Sequence, residues 1–344
     1  MEKGQNGHFA MLCTYFLYSW TMTVIVTGAA GYIGSHIVSA LLELGEKVVG
    51  IDDLSTGRAE FLNPQMDFRK ADISNFDELH SSLISEKGAQ NLSVIHAAGI
   101  KFAGESVHRP LDFYNSNFSG TLNVLKVMEG IGAENLVFSS SCSVYGNVQD
   151  GVGVCENSPL IPVSPYGRSK YFAELAIKDF ASTGRIKAVS LRYFNVAGNG
   201  NSQGFDVSPY NLFPNIYRAI ESKTPIQIFG DSFKTIDGSC VRDYVDVSLL
   251  AQAHITTLNH LRQDHKLEPA YNLGSGYGAS VLEIVHGAKK YIDADLEHSI
   301  TKARTGDPGS ILADVSSAIK DLGWNHTTSI HQMLVNGWKA WKEL

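Results

Sequence analysis

The chain holds only four cysteines in 344 residues, Cys13, Cys142, Cys155 and Cys240, and no two of them form a C-x-x-C pair. That excludes a disulfide framework as the basis of the fold and fits a reducing compartment. Its 12 histidines show no metal-ligand spacing, so neither zinc nor any other metal site is expected. Lys and Arg number 28 against 35 Asp and Glu, a net charge of −7, and no dense basic run is present. Nucleic acid and anionic membranes are therefore not expected partners. Internal repeats and low-complexity tracts are also lacking. What the chain does have is apolar residues, 44% of the total, enough for a large core and two lobes.

Long hydrophobic runs are scarce too. The exception is FAMLCTYFLYSWTMTVIV, residues 9–26, which carries no charge. Length alone suggests a membrane span, but Thr23 to Val26 lead directly into TGAAGYIG and are better used as a buried strand. The roughly one dozen residues left are too few to cross a bilayer, and no small-residue cleavage site marks a signal peptide. Met22 stands just before the strand, so residues 1–21 are expected to be an extension outside the fold. A cytoplasmic location is expected.

From Met22 onward short apolar runs alternate with longer amphipathic ones. TVIVTG reads as a strand and SHIVSALLELG as a helix ending at Gly45; KVVGIDD, FRKADI, SVIHAAG, NLVFSSS and AVSLRYFN read as further strands. Helices fall around Thr121–Gly130 and from SPYGRSK onward. This alternation predicts an α/β fold with a parallel sheet covered on both faces. Past about Val196 the pattern loosens into loops such as GNGNSQG, which predicts a smaller, mixed α/β lobe over the strand ends. The expected division is 22–195 for a dinucleotide-binding domain and 196–344 mainly for a substrate lobe, with about 240–265 returning to the first.

TGAAGYIGSH places Gly28, Gly31 and Gly34 between the first strand and the first helix, a variant of the Rossmann dinucleotide fingerprint. The glycines permit a tight turn, close approach to a pyrophosphate and close helix–strand packing, with the helix N-terminus facing the phosphates. Asp52 and Asp53 end the next strand about twenty residues on, where a carboxylate accepts ribose hydroxyls and repels a 2′-phosphate. The expected cofactor is NAD rather than NADP. Asp72 and Ile73 could flank the adenine, and His96 to Lys101 offers small residues and a lysine at another strand end. The fold class is thus a Rossmann-like doubly wound parallel sheet.

SSSCSVYG, Ser139 to Gly146, ends the NLVF strand, and SPYGRSK opens a helix. Ser164 suits the N-cap and Pro165 the first helical position, so Tyr166 and Lys170 share one helical face at i and i+4. Tyrosine ordinarily titrates near ~10, and bringing it to neutral pH requires about 4 kcal/mol of differential stabilisation. The Lys170 ammonium and a nicotinamide cation are expected to supply it. Tyr166 would then remove a proton from a substrate hydroxyl as hydride leaves its carbon. Ser141 would hydrogen-bond the same oxygen.

TGAAGYIGSH, SSSCSVYG, SPYGRSK and LRYFN, in this order, resemble the extended short-chain dehydrogenase/reductases. HAAGIKFAGESVHRP, NLFPNI, IFGDSFKTIDGSCVRDYVDV and YNLGSG narrow the resemblance to the UDP-glucose 4-epimerase family, over essentially Met22 to Leu344. The resemblance implies NAD-dependent interconversion of UDP-glucose and UDP-galactose through a transient 4-keto sugar, with Tyr166 the base, Lys170 its electrostatic and ribose partner and Ser141 the hydroxyl partner. It extends the cofactor site to Tyr32, Ile33, Leu54, Ser55, Thr56 and Gly57. Beyond these it adds Ala97, Ala98, Gly99 and Lys101, and then Ser116, Asn117, Ser139, Tyr193 and Phe194. For the UDP-sugar it implies Lys101, Ser141, Tyr166, Asn195, Asn211 and Leu212, together with Gln227, Ile228, Phe229, Arg242, Arg304, Asp307 and Ile311. It also implies a homodimer built from two helices of each subunit.

Three positions depart from the family pattern. Asp246 stands where histidine is usual, Ser116 where a cofactor-contacting asparagine is frequent (Asn117 is adjacent), and Ile311 at the position that gates the sugar pocket. Related dehydratases and decarboxylases add an acid after the catalytic serine, whereas SSSCSVYG has Cys142 and Ser143 there. That lack favours epimerisation, which is redox-neutral. UDP-GlcNAc/UDP-GalNAc or UDP-pentose epimerisation is the near alternative, and Arg242 could instead pair with Asp243 or Asp246. A non-catalytic NAD-binding regulatory protein is the alternative of another class; loss of the Ser/Tyr/Lys set would support it, and all three are present.

Overall fold

Strand β1 (Thr23–Thr27) is buried at every residue, and its side chains alternate between two cores: Val24 and Val26 join one, Ile25 the other. Both faces being covered explains why its sequence is a continuous β-branched run rather than an alternating one. The computed structural model describes residues 22–146, 148, 151–200, 204–304 and 308–343. Residues 1–21, Cys13 and Asp307 lie outside the described residues.

Around β1 are β2 (Lys47–Asp52), β3 (Asp67–Lys70), β4 (Ser93–His96), β5 (Asn135–Ser141), β7 (Lys187–Tyr193) and β11 (Ala270–Leu273). They form a seven-stranded sheet in the order β11-β7-β5-β4-β1-β2-β3, with every pairing parallel. On one face lie α1 (Tyr32–Glu43) and α8 (Val247–Arg262), through Ile37, Leu41, Leu250 and Leu258. On the other lie α2 (Phe76–Leu83), α5 (Gly120–Ile131) and α6 (Pro165–Ser182), through Leu79, Val127, Met128, Ala173 and Ile177. The strand order reverses between β1 and β4, and a crevice at such a switch point is where ligands bind open α/β sheets.

Two smaller sheets lie apart from this one. Strand β10 (Val241–Asp246) runs antiparallel to β12 (Gly278–Ser280) and parallel to β14 (Ser310–Ala313) and β8 (Asn195–Ala197). Short β6 (Gly153–Val154) adds to β14, and β9 (Ile226–Phe229) pairs with β13 (His298–Thr301). Helices α7 (Leu212–Ser222), α9 (Val281–Tyr291) and α11 (Ile330–Trp341) cover them through a separate apolar core. Helix α10 (Ser316–Leu322) joins the core beside α8. Between β4 and α5, α3 (Ala103–Ser106) and α4 (Pro110–Phe113) lead into a π-helical turn, Tyr114–Ser119. Among the described residues no helix is long and apolar enough to cross a membrane.

Asp246, unusual at the sequence level, has a local reason. It is the N-cap of α8, where its Oδ1 accepts from the N–H groups of Ser248 (2.9 Å) and Leu249 (3.2 Å). These are two of the donors a helix start leaves orphaned. Its own N–H donates to His326 Nε2 at 3.0 Å. Replacing Asp246 with Ala is expected to lower stability by about 1–2 kcal/mol, measured as a shifted urea midpoint at unchanged slope.

Candidate active site

The glycine loop is shaped by what it cannot contain. Gly28 has φ +75°, and a Cβ there would approach Ala98 N at 2.7 Å. At Gly34 a Cβ would overlap the Gly28 carbonyl oxygen, so the helix can lie this close to the turn only with glycine. Gly31 is the N-cap of α1, which has no side-chain cap and no acidic residue in its first turn. The leading N–H groups of the helix are thereby left for an anion. Tyr32 anchors the helix start by donating to Gly198 O at 2.7 Å, and His36 joins it to the same loop through Gly200 N at 3.1 Å.

Asp52 braces this loop. Its Oδ2 accepts from Ala30 N (3.0 Å) and its Oδ1 from Leu54 N (2.8 Å), while burial pushes its pKa above the ordinary carboxylate value. Each oxygen keeps a second lone pair for a ribose hydroxyl. Asp53 and Asp72 instead organise their own turns, through Ser55 and Ser74.

Over the carboxyl ends of the strands lies a cleft of about 470 Å³. Gly28, Gly31, Tyr32, Ile33 and Gly34 line one side; Ala97, Gly99, Lys101, Ser141, Tyr166 and Lys170 line the middle; Tyr193, Phe194, Asn195, Asn211 and Leu212 complete it. A narrower cavity of about 90 Å³ continues past the loop between Asp52, Asp53, Ser55, Gly57, Asp72, Ile73, Ala98 and Ser116. Gly28, Gly31, Thr56, Ala97 and Gly99 border both. Three expected cofactor residues lie outside these walls. Leu54 is a turn residue at φ 63°. Asn117 supports the wall from behind, accepting from Ile100 N (2.8 Å) and donating to Ile100 O (2.9 Å) and Ser169 Oγ (3.0 Å). Ser139 is fully buried, with its hydroxyl 2.9 Å from His254 Nε2.

Three successive serines at the end of β5 serve different neighbours. Ser139 O accepts from Lys170 Nζ at 2.9 Å, Ser140 Oγ donates to Glu174, and Ser141 lies in the cleft beside Tyr166. Ser164 caps α6 through Gly167 N at 3.1 Å with Pro165 at the first position, which sets Tyr166 and Lys170 in the opening turns. The Lys170 ammonium sits 4.8 Å over the Phe138 ring. Gly99 leaves it room, since a Cβ there would lie 3.4 Å from Nζ.

The electrostatics differ from the sequence-based expectation. Burial pushes the Tyr166 phenol up to about 12, opposed only in part by the Ser141 hydroxyl. Lys170, also buried, is pulled down to about 8 and is not among the groups that move Tyr166. An amine lowered to about 8 has lost its proton before a phenol at about 12 titrates, so it offers that phenol no charge there. Its nitrogen lies 2.9 Å from Ser139 O and 4.8 Å from the Phe138 ring centroid. The protein alone therefore keeps the phenol protonated, and the expected downward push must come from a bound cation. Without cofactor, the difference between wild type and Tyr166→Phe is expected to show no tyrosinate absorption below pH ~10 in an ultraviolet titration. A tyrosinate signal near neutral pH would contradict this.

Sequence reasoning missed several cleft residues, notably Cys142, Ser143, Phe205, Asp206 and Tyr244. The first two adjoin Ser141 and could have been inferred; Asp206 sits in a loop whose pattern points nowhere. Asp206 accepts from Asn211 Nδ2 (2.6 Å) and pairs with Lys101 (3.6 Å), so it joins two expected ligand residues.

The outer substrate positions do not line the cleft. Gln227, Ile228 and Phe229 form β9, and Arg304 stacks on Phe229, 3.8 Å from the ring centroid. Arg242 donates to the carbonyls of Val241 and Pro308, both at 2.9 Å. Among the described residues it pairs with neither Asp243 nor Asp246, which are held by backbone donors instead. Ile311 pairs in register with Arg242 but is buried in a small apolar cluster with Val144, Phe194 and Ala313, behind the cleft wall. No group of three or more metal-ligating side chains occurs among the described residues.

The model of the NAD dependent epimerase/dehydratase family matches residues 24–274. A UDP-glucose 4-epimerase of Dictyostelium discoideum is 40% identical over 334 residues, covering 93% of this chain and 96% of that protein. A crystal structure of UDP-glucose-4-epimerase from Stenotrophomonas maltophila, with bound NAD and formylated UDP-arabinopyranose, superposes with a TM-score of 0.86. Identity there is 35%, with 94% of this chain and 98% of that one covered. The Bifidobacterium longum UDP-glucose 4-epimerase, in complex with NAD+ and UDP, gives 0.84 at 31% identity over 94% and 98%.

Proposed function

Because the chain belongs to the NAD dependent epimerase/dehydratase family, we propose that it interconverts UDP-glucose and UDP-galactose by inverting C4. The observation that carries this reading is the meeting of Ser141, Tyr166 and Lys170 in the same cleft as the glycine loop, with no carboxylate in Ser139–Gly146 to drive elimination. The residues fit NAD: a Cβ-free turn, an uncapped helix N-terminus for the pyrophosphate, and Asp52 and Asp53 at the ribose end. Bound there, NAD would supply the hydride acceptor and donor that inversion at C4 needs.

The chain's own residues handle the proton. Tyr166 takes it from the 4-hydroxyl, Ser141 holds the same oxygen, and Lys170 keeps a positive charge near the phenolate. On return, Tyr166 gives the proton back to the C4 oxygen. Asn195, Asn211, Leu212 and Lys101 hold the UDP-sugar from the cleft wall. Gln227 to Phe229, Arg242, Arg304 and Asp307 serve its nucleotide end, where arginines suit a pyrophosphate, and Ile311, packed behind Phe194, bears on the sugar pocket. In this reading residues 22–195 are the NAD-binding domain and 196–344 mainly the UDP-sugar lobe.

A homodimer is part of the same proposal. Leu111 on α4 and Phe172 and Leu175 on α6 are exposed; Tyr114 stacks on Phe172 and Phe118 meets it edge-on. The thiols of Cys142 and Cys155 suit a cytoplasmic location. To test the function, purified protein is incubated separately with UDP-galactose, UDP-GalNAc and UDP-arabinose without added NAD, and C4 epimers are assayed. UDP-glucose formed from UDP-galactose is the expected result. Turnover of only the other two would overturn the hexose assignment, and none at all would overturn epimerisation.

A further inference from the structure

Glu174 is a buried carboxylate with no part in the proton transfers above. It lies on α6 one turn after Lys170 and is 7% exposed. Arg192 of β7, 6% exposed, donates to it through Nε (3.0 and 3.2 Å) and Nη2 (2.7 Å). Ser140 Oγ, at the end of β5, donates to the same carboxylate. The remaining guanidinium nitrogen reaches the Tyr145 hydroxyl and Glu156 O, both at 3.1 Å. Tyr145 in turn donates to Asn272 Oδ1 at 2.6 Å, and Asn272 Nδ2 donates to Val154 O at 2.8 Å. One connected polar set thus ties the helix of Tyr166 and Lys170 to the strand end of Ser141.

Stability alone is a poor reason for such a set. A buried ion pair repays its desolvation so narrowly that apolar replacements of similar volume are frequently neutral or better. Its position suggests another role, because the successive residues Ser139, Ser140 and Ser141 touch Lys170, Glu174 and Tyr166 respectively. We infer that Glu174 is a positioning residue for the epimerisation: it locks α6 onto the end of β5 and holds the Lys170 side chain as an ammonium.

The titratable groups around the pair are few. Tyr166 shares the helix, and burial together with the Lys170 charge keeps His96 on β4 neutral, down to about 3. Tyr193 of β7 and Tyr145 are raised by burial and stay protonated, and Arg192 stays cationic. Among the described residues Glu174 is therefore the anion that acts on Lys170, opposing the burial that lowers it to about 8. Removing that anion disfavours the ammonium, so Lys170 would lose its proton at lower pH.

The inference rests on the proposed epimerisation. The test compares wild type, Glu174→Gln, Glu174→Gln/Arg192→Met and Ser140→Ala for kcat, KM, the alkaline limb of kcat with UDP-galactose, and NAD content. The double variant leaves no orphaned guanidinium beside the lost carboxylate. It is expected to keep NAD, to lose at least about tenfold in kcat with KM changed less than about twofold, and to move the alkaline limb to lower pH. Ser140→Ala removes the tether without the charge, so it is expected to lower kcat about threefold or more with the limb unmoved. Wild-type kcat and an unmoved limb in the folded double variant would overturn the inference. So would full rescue of Glu174→Gln by Arg192→Met, which would make the defect one of an orphaned cation. Should the double variant not fold, wild-type kcat in Ser140→Ala overturns the tether. Wild type that leaves UDP-galactose unchanged would instead overturn the proposed function.

Discussion

Tyr166→Phe is expected to lose about a thousandfold in kcat on UDP-galactose while retaining NAD. That factor corresponds to about 4 kcal/mol of transition-state stabilisation. The phenol ring is kept by the substitution, including its edge-on contact with Phe113 at 6.3 Å, so packing in the cleft wall changes little. What is lost is the phenolic oxygen beside Ser141, which the proposed mechanism uses to take the 4-hydroxyl proton. Ser141 cannot replace it, because an unassisted serine hydroxyl is a far weaker base than a phenolate. NAD content, read on the protein released from denaturation, is the control that separates chemistry from cofactor loss. Wild-type turnover in this variant would remove Tyr166 from the role of base.

Gly34→Ala is expected to be the most damaging single-atom change to the cofactor site. The added Cβ would coincide with the Gly28 carbonyl, which belongs to the backbone and cannot swing aside. Helix α1 and the turn must separate, which moves the helix N-terminus away from the pyrophosphate. NAD affinity should fall at least about a hundredfold, or about 3 kcal/mol, with a further loss of about 1–3 kcal/mol in stability from the forced repacking. Titration with NAD followed by protein fluorescence measures the first, urea unfolding the second. Wild-type affinity would mean that the turn is not the phosphate cradle. The comparison with Gly45 is informative: it has φ +80°, but a Cβ added there would meet nothing within 4 Å, so its substitution strains only the backbone.

Much of the site is readable along the chain because its parts are local. The strand–turn–helix around Gly28 to Gly34, the Ser164–Pro165 cap, and the i to i+4 pairing of Tyr166 with Lys170 each follow from a short stretch of sequence and the geometry of one element. The burial of β1 on both faces is equally local, since a continuous β-branched run has no polar face to expose. The α/β class follows from the alternation of such segments.

Other features depend on which segments meet. The sign of the Tyr166 shift is one: the sequence places a lysine one turn away, but only the packed site reveals that burial lowers that lysine to about 8 while it raises the phenol. Arg242 is another, pairing with neither neighbouring aspartate among the described residues: Asp243 binds N–H groups brought in from Ser275, Gly276 and Ala313, and Asp246 caps its own helix. The join of Asn211 and Lys101 through Asp206 spans a sequence separation over which no pattern operates. Glu174 and Arg192 stand eighteen positions apart on a helix and a strand, and each alone looks like a surface charge. Sequence alone determined the main elements, the glycine turn and the shared helical face of Tyr166 and Lys170, because covalent spacing and backbone periodicity act over a few residues. Tertiary structure decided the charge states, the cleft and the pairing partners, because desolvation and hydrogen bonding depend on residues that folding brings together.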